Sequence, residues 1–240
     1  MENKKIPNFV NGKIGYVEIP ALIPNESAAF YQKVFSWKIE TGPGGLIAFT
    51  DGIGEVRGIW KTDRIPVDEP GLIVSIMVDN VSETISLLEV MGAEIVNRME
   101  FDGQYLAWFI DIAGNLLGIY QHPGGGHGKI CYLEIPALDI NESASFYESV
   151  FKWSLKDKGT EHTGFDDISN NVSGMWALDR KPSGEPGILV HVFTENIDET
   201  LNLIVKHSGN IVSGKSSSGK ADKAIFSDPF GNVMGLYQTT

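Results

Sequence analysis

The sequence predicts an α+β fold in which four βαβββ units form two tandem domains, and three observations predict it. The chain repeats itself: GKIGYVEIPALIPNESAAFYQKVFSWKIE, from Gly12, and GKICYLEIPALDINESASFYESVFKWSLK, from Gly128, agree at about 18 of 29 positions. An offset of about 116 residues is too long for a solenoid unit and suits a duplicated domain. The match then continues to the end of each copy. GIW at Gly58 answers GMW at Gly174, EPGLIV at Glu69 answers EPGILV at Glu185, and GNLLGIYQ at Gly114 answers GNVMGLYQ at Gly231. Finally, stretches of period two alternate with helical stretches inside each copy. The domains are read as 10–121 and 129–240, joined by a Gly-rich linker at 122–128.

The elements of the first copy follow in order. Lys13 to Ile19 alternates and is rich in Ile, Val and Tyr, so it reads as a strand. Asn25 is placed to cap a helix through Ala28 to Phe35, with Phe30, Val34, Phe35 and Trp37 on its apolar side. Short strands follow at Leu46 to Thr50 and Val56 to Lys61, and Pro66 and Pro70 interrupt the chain. Leu72 to Val78 begins the second unit as a strand. The next helix is capped by Ser82, buries Ile85, Leu88 and Met91, and stops at Gly92. Three strands close the copy near Glu94 to Met99, Tyr105 to Asp111 and Leu116 to Tyr120.

Composition narrows the function. Lys and Arg number 19 against 31 Asp and Glu, a formal charge of −12, which disfavours nucleic acid and anionic membrane surfaces. The lone Cys131 excludes an internal disulfide and a multi-cysteine zinc site. No apolar run reaches the roughly 20 residues of a membrane span, and the first residues lack a secretory apolar core. A cytoplasmic protein is expected. SGKSSSGK at Ser213 lacks the spacing of a phosphate loop and reads as an exposed turn. His122 and His127 flank the linker glycines and read as part of that linker.

YVEIPA and ESAAFYQKVFSW between Tyr16 and Trp37, with DIAGNLLGIYQ at Asp111 to Gln121, resemble the vicinal oxygen chelate superfamily. That superfamily includes glyoxalase I, bleomycin-resistance proteins and extradiol dioxygenases. The second copy carries the same signature at Tyr132 to Trp153 and Asp228 to Gln238. The resemblance implies two glyoxalase/bleomycin resistance-like domains whose paired units curl into a cleft. It also implies metal ligands, usually His or Glu, from the first and last strands. The matching positions are Tyr16, Gly58, Ile73 and Gly118 in one copy and Tyr132, Gly174, Leu189 and Gly235 in the other. None is His, Asp, Glu or Cys, and the usual Glu of the final strand is Gly in both. No metal and no cofactor are therefore expected, which disfavours the reactions that need an ion as Lewis acid or redox centre.

Side chains two apart on a strand share a face. If the positions above face the cleft, so do Glu18, Trp60, Ser75 and Tyr120, and in the second copy Glu134, Trp176, His191 and Tyr237. Glycines beside aromatics suit a planar or aromatic small molecule, with Glu and His as polar handles. Tyr16, Glu18, Trp60, Ser75, Tyr120, Tyr132, Trp176 and Tyr237 are the expected ligand contacts. Glu134 and His191 would form a catalytic acid–base pair where their strands meet. The plainer readings are aromatics in the core, a hydrogen-bonded structural Glu and a satisfied His. Cys131 reads as buried filler.

Three functions fit the sequence: metal-independent binding of a small molecule, a glyoxalase-like lyase or hydroxylase, and a non-catalytic scaffold. The expected partner is a small molecule, in a monomer that is itself a pseudo-dimer or in a homodimer. Each copy either closes its own cleft or exchanges halves with the other across the linker. That choice decides whether Glu134 meets His191 or Ser75.

Overall fold

In the first copy, eight strands and two helices run from residue 14 to residue 121, as two βαβββ units require, and the second strand is the one the sequence pattern does not locate. The computed structural model describes residues 10, 12–66, 72–101, 104–112, 114–121, 127–179, 188–217, 221–229 and 231–239. The order is β1 (Ile14–Pro20), α1 (Pro24–Phe35), β2 (Lys38–Thr41), β3 (Ile47–Thr50), β4 (Arg57–Lys61), β5 (Ile73–Val78), α2 (Val81–Val90), β6 (Glu94–Phe101), β7 (Gln104–Ile110) and β8 (Leu116–Gln121). The second copy repeats it as β9 (Ile130–Pro136), α3 (Ile140–Phe151), β10 (Ser154–Lys156), β11 (Gly164–Asp166), β12 (Ser173–Ala177), β13 (Leu189–Phe193), α4 (Ile197–Lys206), β14 (Asn210–Ser217), β15 (Ala221–Ser227) and β16 (Val233–Thr239). That strand, β2, is short and mostly exposed, so it carries little of the apolar alternation that announces a strand.

The helix starts differ from those expected. Pro24 occupies the first turn of α1, where its missing N–H costs nothing, and Ile23 stands before it without a side-chain cap. Asn25 lies inside the helix. In α3 the same place holds Asp139, whose carboxylate accepts the Glu142 N–H at 3.0 Å. Helix α2 is capped by Asn80, not Ser82, and α4 by Asn196; each accepts an N–H from the Glu three residues on. The expected turn at Ser213 is strand β14 as far as Ser217, exposed throughout; residues 218–220 lie outside the described residues.

Two eight-stranded sheets result. One runs β14-β15-β16-β13-β1-β4-β3-β2, the other β10-β11-β12-β9-β5-β8-β7-β6. The start of β1 lies beside β13, with Gly12 N–H donating to Phe193 O, and the segment before β9 lies beside β5, with Met77 N–H donating to Lys129 O. The described chain also divides into two compact units, one of residues 17–66 and 74–131, the other of residues 10–16, 72–73 and 132–239.

Within each unit, one network fixes a strand start, and the two networks match residue for residue. In the first unit the Asp51 carboxylate accepts N–H groups of Gly54, Glu55 and Val56, and its other oxygen takes Ile130 N–H at 3.1 Å. Burial, the largest influence, raises the Asp51 pKa against the pull of those donors. In the second unit Asp167 accepts N–H groups of Asn171 and Val172, and takes Ile14 N–H at 3.0 Å. The Trp37 indole N–H donates to the Gly128 carbonyl at 2.7 Å, and that of Trp153 to Gly12 at 2.8 Å. Gly12 and Gly128 have φ of +89° and +79°, and a Cβ on either would lie about 2 Å from the carbonyl oxygen of Phe151 or Phe35.

The expected linker is thus partly built into the fold. Residues 122–126 lie outside the described residues, but Gly128 N–H donates to Met77 O and His127 Nε2 lies 2.9 Å from Val34 O. A second matched pair closes each copy. Tyr31 O–H donates to Asp111 and Tyr147 O–H to Asp228, while the amides of Asn115 and Asn232 donate to the carbonyls of Pro20 and Pro136.

Candidate functional site

Register decides which expected contacts share a face. In β16, Leu236 and Met234 lie across from Ala224 and Phe226 of β15, and Phe226 meets Phe146 of α3. That face belongs to the helices. On the opposite face, His191 pairs with Gly235, Ile225 with Gly235, and Lys223 with Tyr237. Tyr16 joins them. Its ring stands edge-on to His191, with centroids 5.3 Å apart at 81°, and lies 5.8 Å from Tyr237. The Lys223 ammonium sits 4.4 Å from the Tyr16 ring centroid, a cation–π distance. Phe193 meets Tyr237 edge-on at 5.2 Å. A Cβ on Gly235 would come within 2.1 Å of His191 Nδ1, so the imidazole fills the space that a side chain there would need.

The first unit presents an equivalent face with different groups. Phe109 meets Phe35 of α1, so Leu106 and Trp108 point the other way, across from Tyr120 and Gly118. Ser75 pairs with Gly118, and a Cβ on that glycine would lie 2.2 Å from Ser75 Oγ. The Cys131 thiol donates to the Ser75 carbonyl at 3.7 Å, and burial pushes its pKa up to about 12. A thiol so held is a poor nucleophile. Burial, then Cys131, also raises the Tyr120 pKa.

Two expectations require correction. Trp60 and Trp176 do not line these faces. Tyr132 and Glu134 of β9 lie beside Ser173 and Met175 of β12, while Trp176 lies beside Ile135. The strand register is one residue from the assumed phase, and a one-residue shift turns a side chain to the other face. Trp60 packs among Tyr31, Trp37 and Phe49, and Trp176 among Tyr147 and Phe165. They are 2% and 1% exposed.

Next, Glu134 and His191 fall in different sheets, so their strands do not pair. Glu134 borders an open recess of about 320 Å³ with Met175, Trp176, His162 and Asp179. Ser75 and His191, expected on the face of Gly118 and Gly235, are the residues paired with those glycines.

Glu18 is buried, and its charge favours the protonated form of Arg64, opposing the burial that lowers the arginine's pKa most. Sequence reading missed Arg64, Trp108, Phe193 and Lys223. Lys223 could have been found, because it aligns with Leu106 as Gly231 aligns with Gly114.

The donor set around Gly235 does not fit the metal that the resemblance implies. It offers one imidazole, two phenols and no carboxylate, Gly235 supplies no donor, and an ammonium lies over the Tyr16 ring. A divalent ion needs three or four N, O or S ligands and is repelled by a cation. Among the described residues, no group of three His, Cys, Asp or Glu is placed to hold an ion. No helix among them is long and apolar enough to cross a membrane.

Residues 129–236 match the family model of the Glyoxalase/Bleomycin resistance protein/Dioxygenase superfamily. Among solved structures, glyoxalase I from Zea mays superposes with a TM-score of 0.72 at 15% identity, covering 94% of this chain and 92% of that one. A putative dioxygenase from Bacillus subtilis subsp. subtilis str. 168 gives 0.68 at 12% identity, over 95% and 86%. These likenesses are of fold. No curated protein matches the sequence.

Proposed function

We propose that the chain, whose residues 129–236 match the Glyoxalase/Bleomycin resistance protein/Dioxygenase superfamily, belongs to that family in both copies and binds a small planar or aromatic molecule without a metal. The observation that carries this reading is the grouping of Tyr16, His191 and Tyr237 around Gly235 on the face away from the helices. Aromatic rings meeting edge to face offer flat apolar contact. His191 adds a ring nitrogen and Tyr237 a hydroxyl for orientation. The absent Glu on the final strand supports binding over metal-assisted turnover, since the reacting oxygens would lack a Lewis acid.

Thermal denaturation with a panel of planar aromatic compounds, with and without EDTA, tests the reading. The expected result is a rise in Tm with at least one compound, unchanged by EDTA and lost in Tyr16→Ala. Binding that disappears with EDTA and returns with zinc would overturn metal independence. No shift with any compound would overturn binding itself.

A further inference from the structure

We infer that the ligand of the Tyr16, His191 and Tyr237 face carries an anionic group beside its aromatic ring, an aromatic carboxylate or its equivalent; this rests on that face being a ligand site. Lys223 supplies the charge. Its ammonium lies over the Tyr16 ring at 4.4 Å, and its strand position is directly across from Tyr237. Its neighbour on the strand is Asp222. That carboxylate turns to the other side of β15, where it accepts from Ser217 and pairs with Lys215 at 3.1 Å. A ring stacked near Tyr16 would place a substituent within reach of Lys223, where a carboxylate gains a charge-assisted hydrogen bond and an ammonium meets a like charge.

The fold does not require this lysine. The first unit has Leu106 at the equivalent place, across from Tyr120, and Ser75 where the second has His191. Both faces keep the glycine and the tyrosine, so the charge is a property of one copy. A residue serving only to support the sheet would not need to differ in this way, since Leu106 supports the same register.

The experiment is titration of the full chain in EDTA with 2-naphthoate, 2-naphthamide and 2-naphthylmethylammonium, which share a ring and differ in charge. The expected order is naphthoate about tenfold tighter than the amide, with the ammonium weakest, and a preference that shrinks as salt rises. Lys223→Leu, which installs the first copy's residue, should abolish the preference while the amide still binds. Lys223→Arg should retain it. Equal affinity of the wild-type chain for naphthoate and the amide, or an intact preference in Lys223→Leu, overturns the inference and leaves aromatic binding standing. Binding of none of the three overturns both.

Discussion

Two equivalent faces of this duplicated chain have kept one frame and changed their chemistry. The first unit sets Ser75, Leu106, Trp108 and Tyr120 around Gly118, a neutral surface. The second sets His191, Lys223, Ile225 and Tyr237 around Gly235, with Tyr16 against the imidazole. Behind these faces, Asp51 and Asp167, Trp37 and Trp153, and Tyr31 and Tyr147 make the same bonds to equivalent partners. Groups buried with their hydrogen-bond partners cannot change singly without stranding a polar atom. The groups on the faces away from the helices are less constrained by such fixed pairs, and the copies differ there at Ser75 and His191 and at Leu106 and Lys223.

The largest test of this comparison is on the frame. Gly12→Ala and Gly128→Ala each put a Cβ at positive φ and against a backbone carbonyl. Each should cost at least about 2 kcal/mol in denaturant unfolding. Similar losses keep the two copies equivalent, and a silent Gly128→Ala would break that equivalence.

Tyr31→Phe and Tyr147→Phe come next, with about 1–2 kcal/mol expected from each lost buried hydrogen bond. Burial first, and the Asp111 or Asp228 charge second, raises both phenol pKa values well above the ordinary range. The folded state therefore holds these protons after the unfolded chain has released them near pH 10. Their contribution is full below about pH 10 and is lost as pH rises above it. Tm followed from pH 8 to 11 should fall less steeply in both Phe variants; an unchanged slope would remove the phenols as its cause.

The smallest effect sharpens a difference between copies. Ile23 leaves α1 uncapped where Asp139 caps α3. Ile23→Asp should raise stability by about 0.5–1 kcal/mol, readable as a higher denaturant midpoint at constant slope. No gain would mean that the Pro24 start leaves no N–H for a carboxylate to reach.

Most strands and all four helices were legible because apolar period is a local property, whereas the expected caps Asn25 and Ser82 each lie two residues past the true N-cap. The duplication was legible because equivalent positions keep equivalent burial. Tyr16, His191 and Tyr237 were each named from strand phase. The face of Trp60 and Trp176 was not legible, since it depends on which residue of β12 lies beside which residue of β9. Lys223 was passed over because a lone lysine on an alternating strand looks like any solvated charge until its register with Tyr237 is known.

By itself the sequence determined the α+β repeat, the family pattern and the loss of the last-strand carboxylate, because these are matters of residue type and spacing along the chain. Only the tertiary structure decided that the strands of Glu134 and His191 belong to different sheets and that Tyr16 comes to His191. The strand-start bonds of Ile14 and Ile130 close loops of 153 and 79 residues. A pairing over such distances is set by which buried donors and acceptors are mutually satisfied, and no local pattern records it.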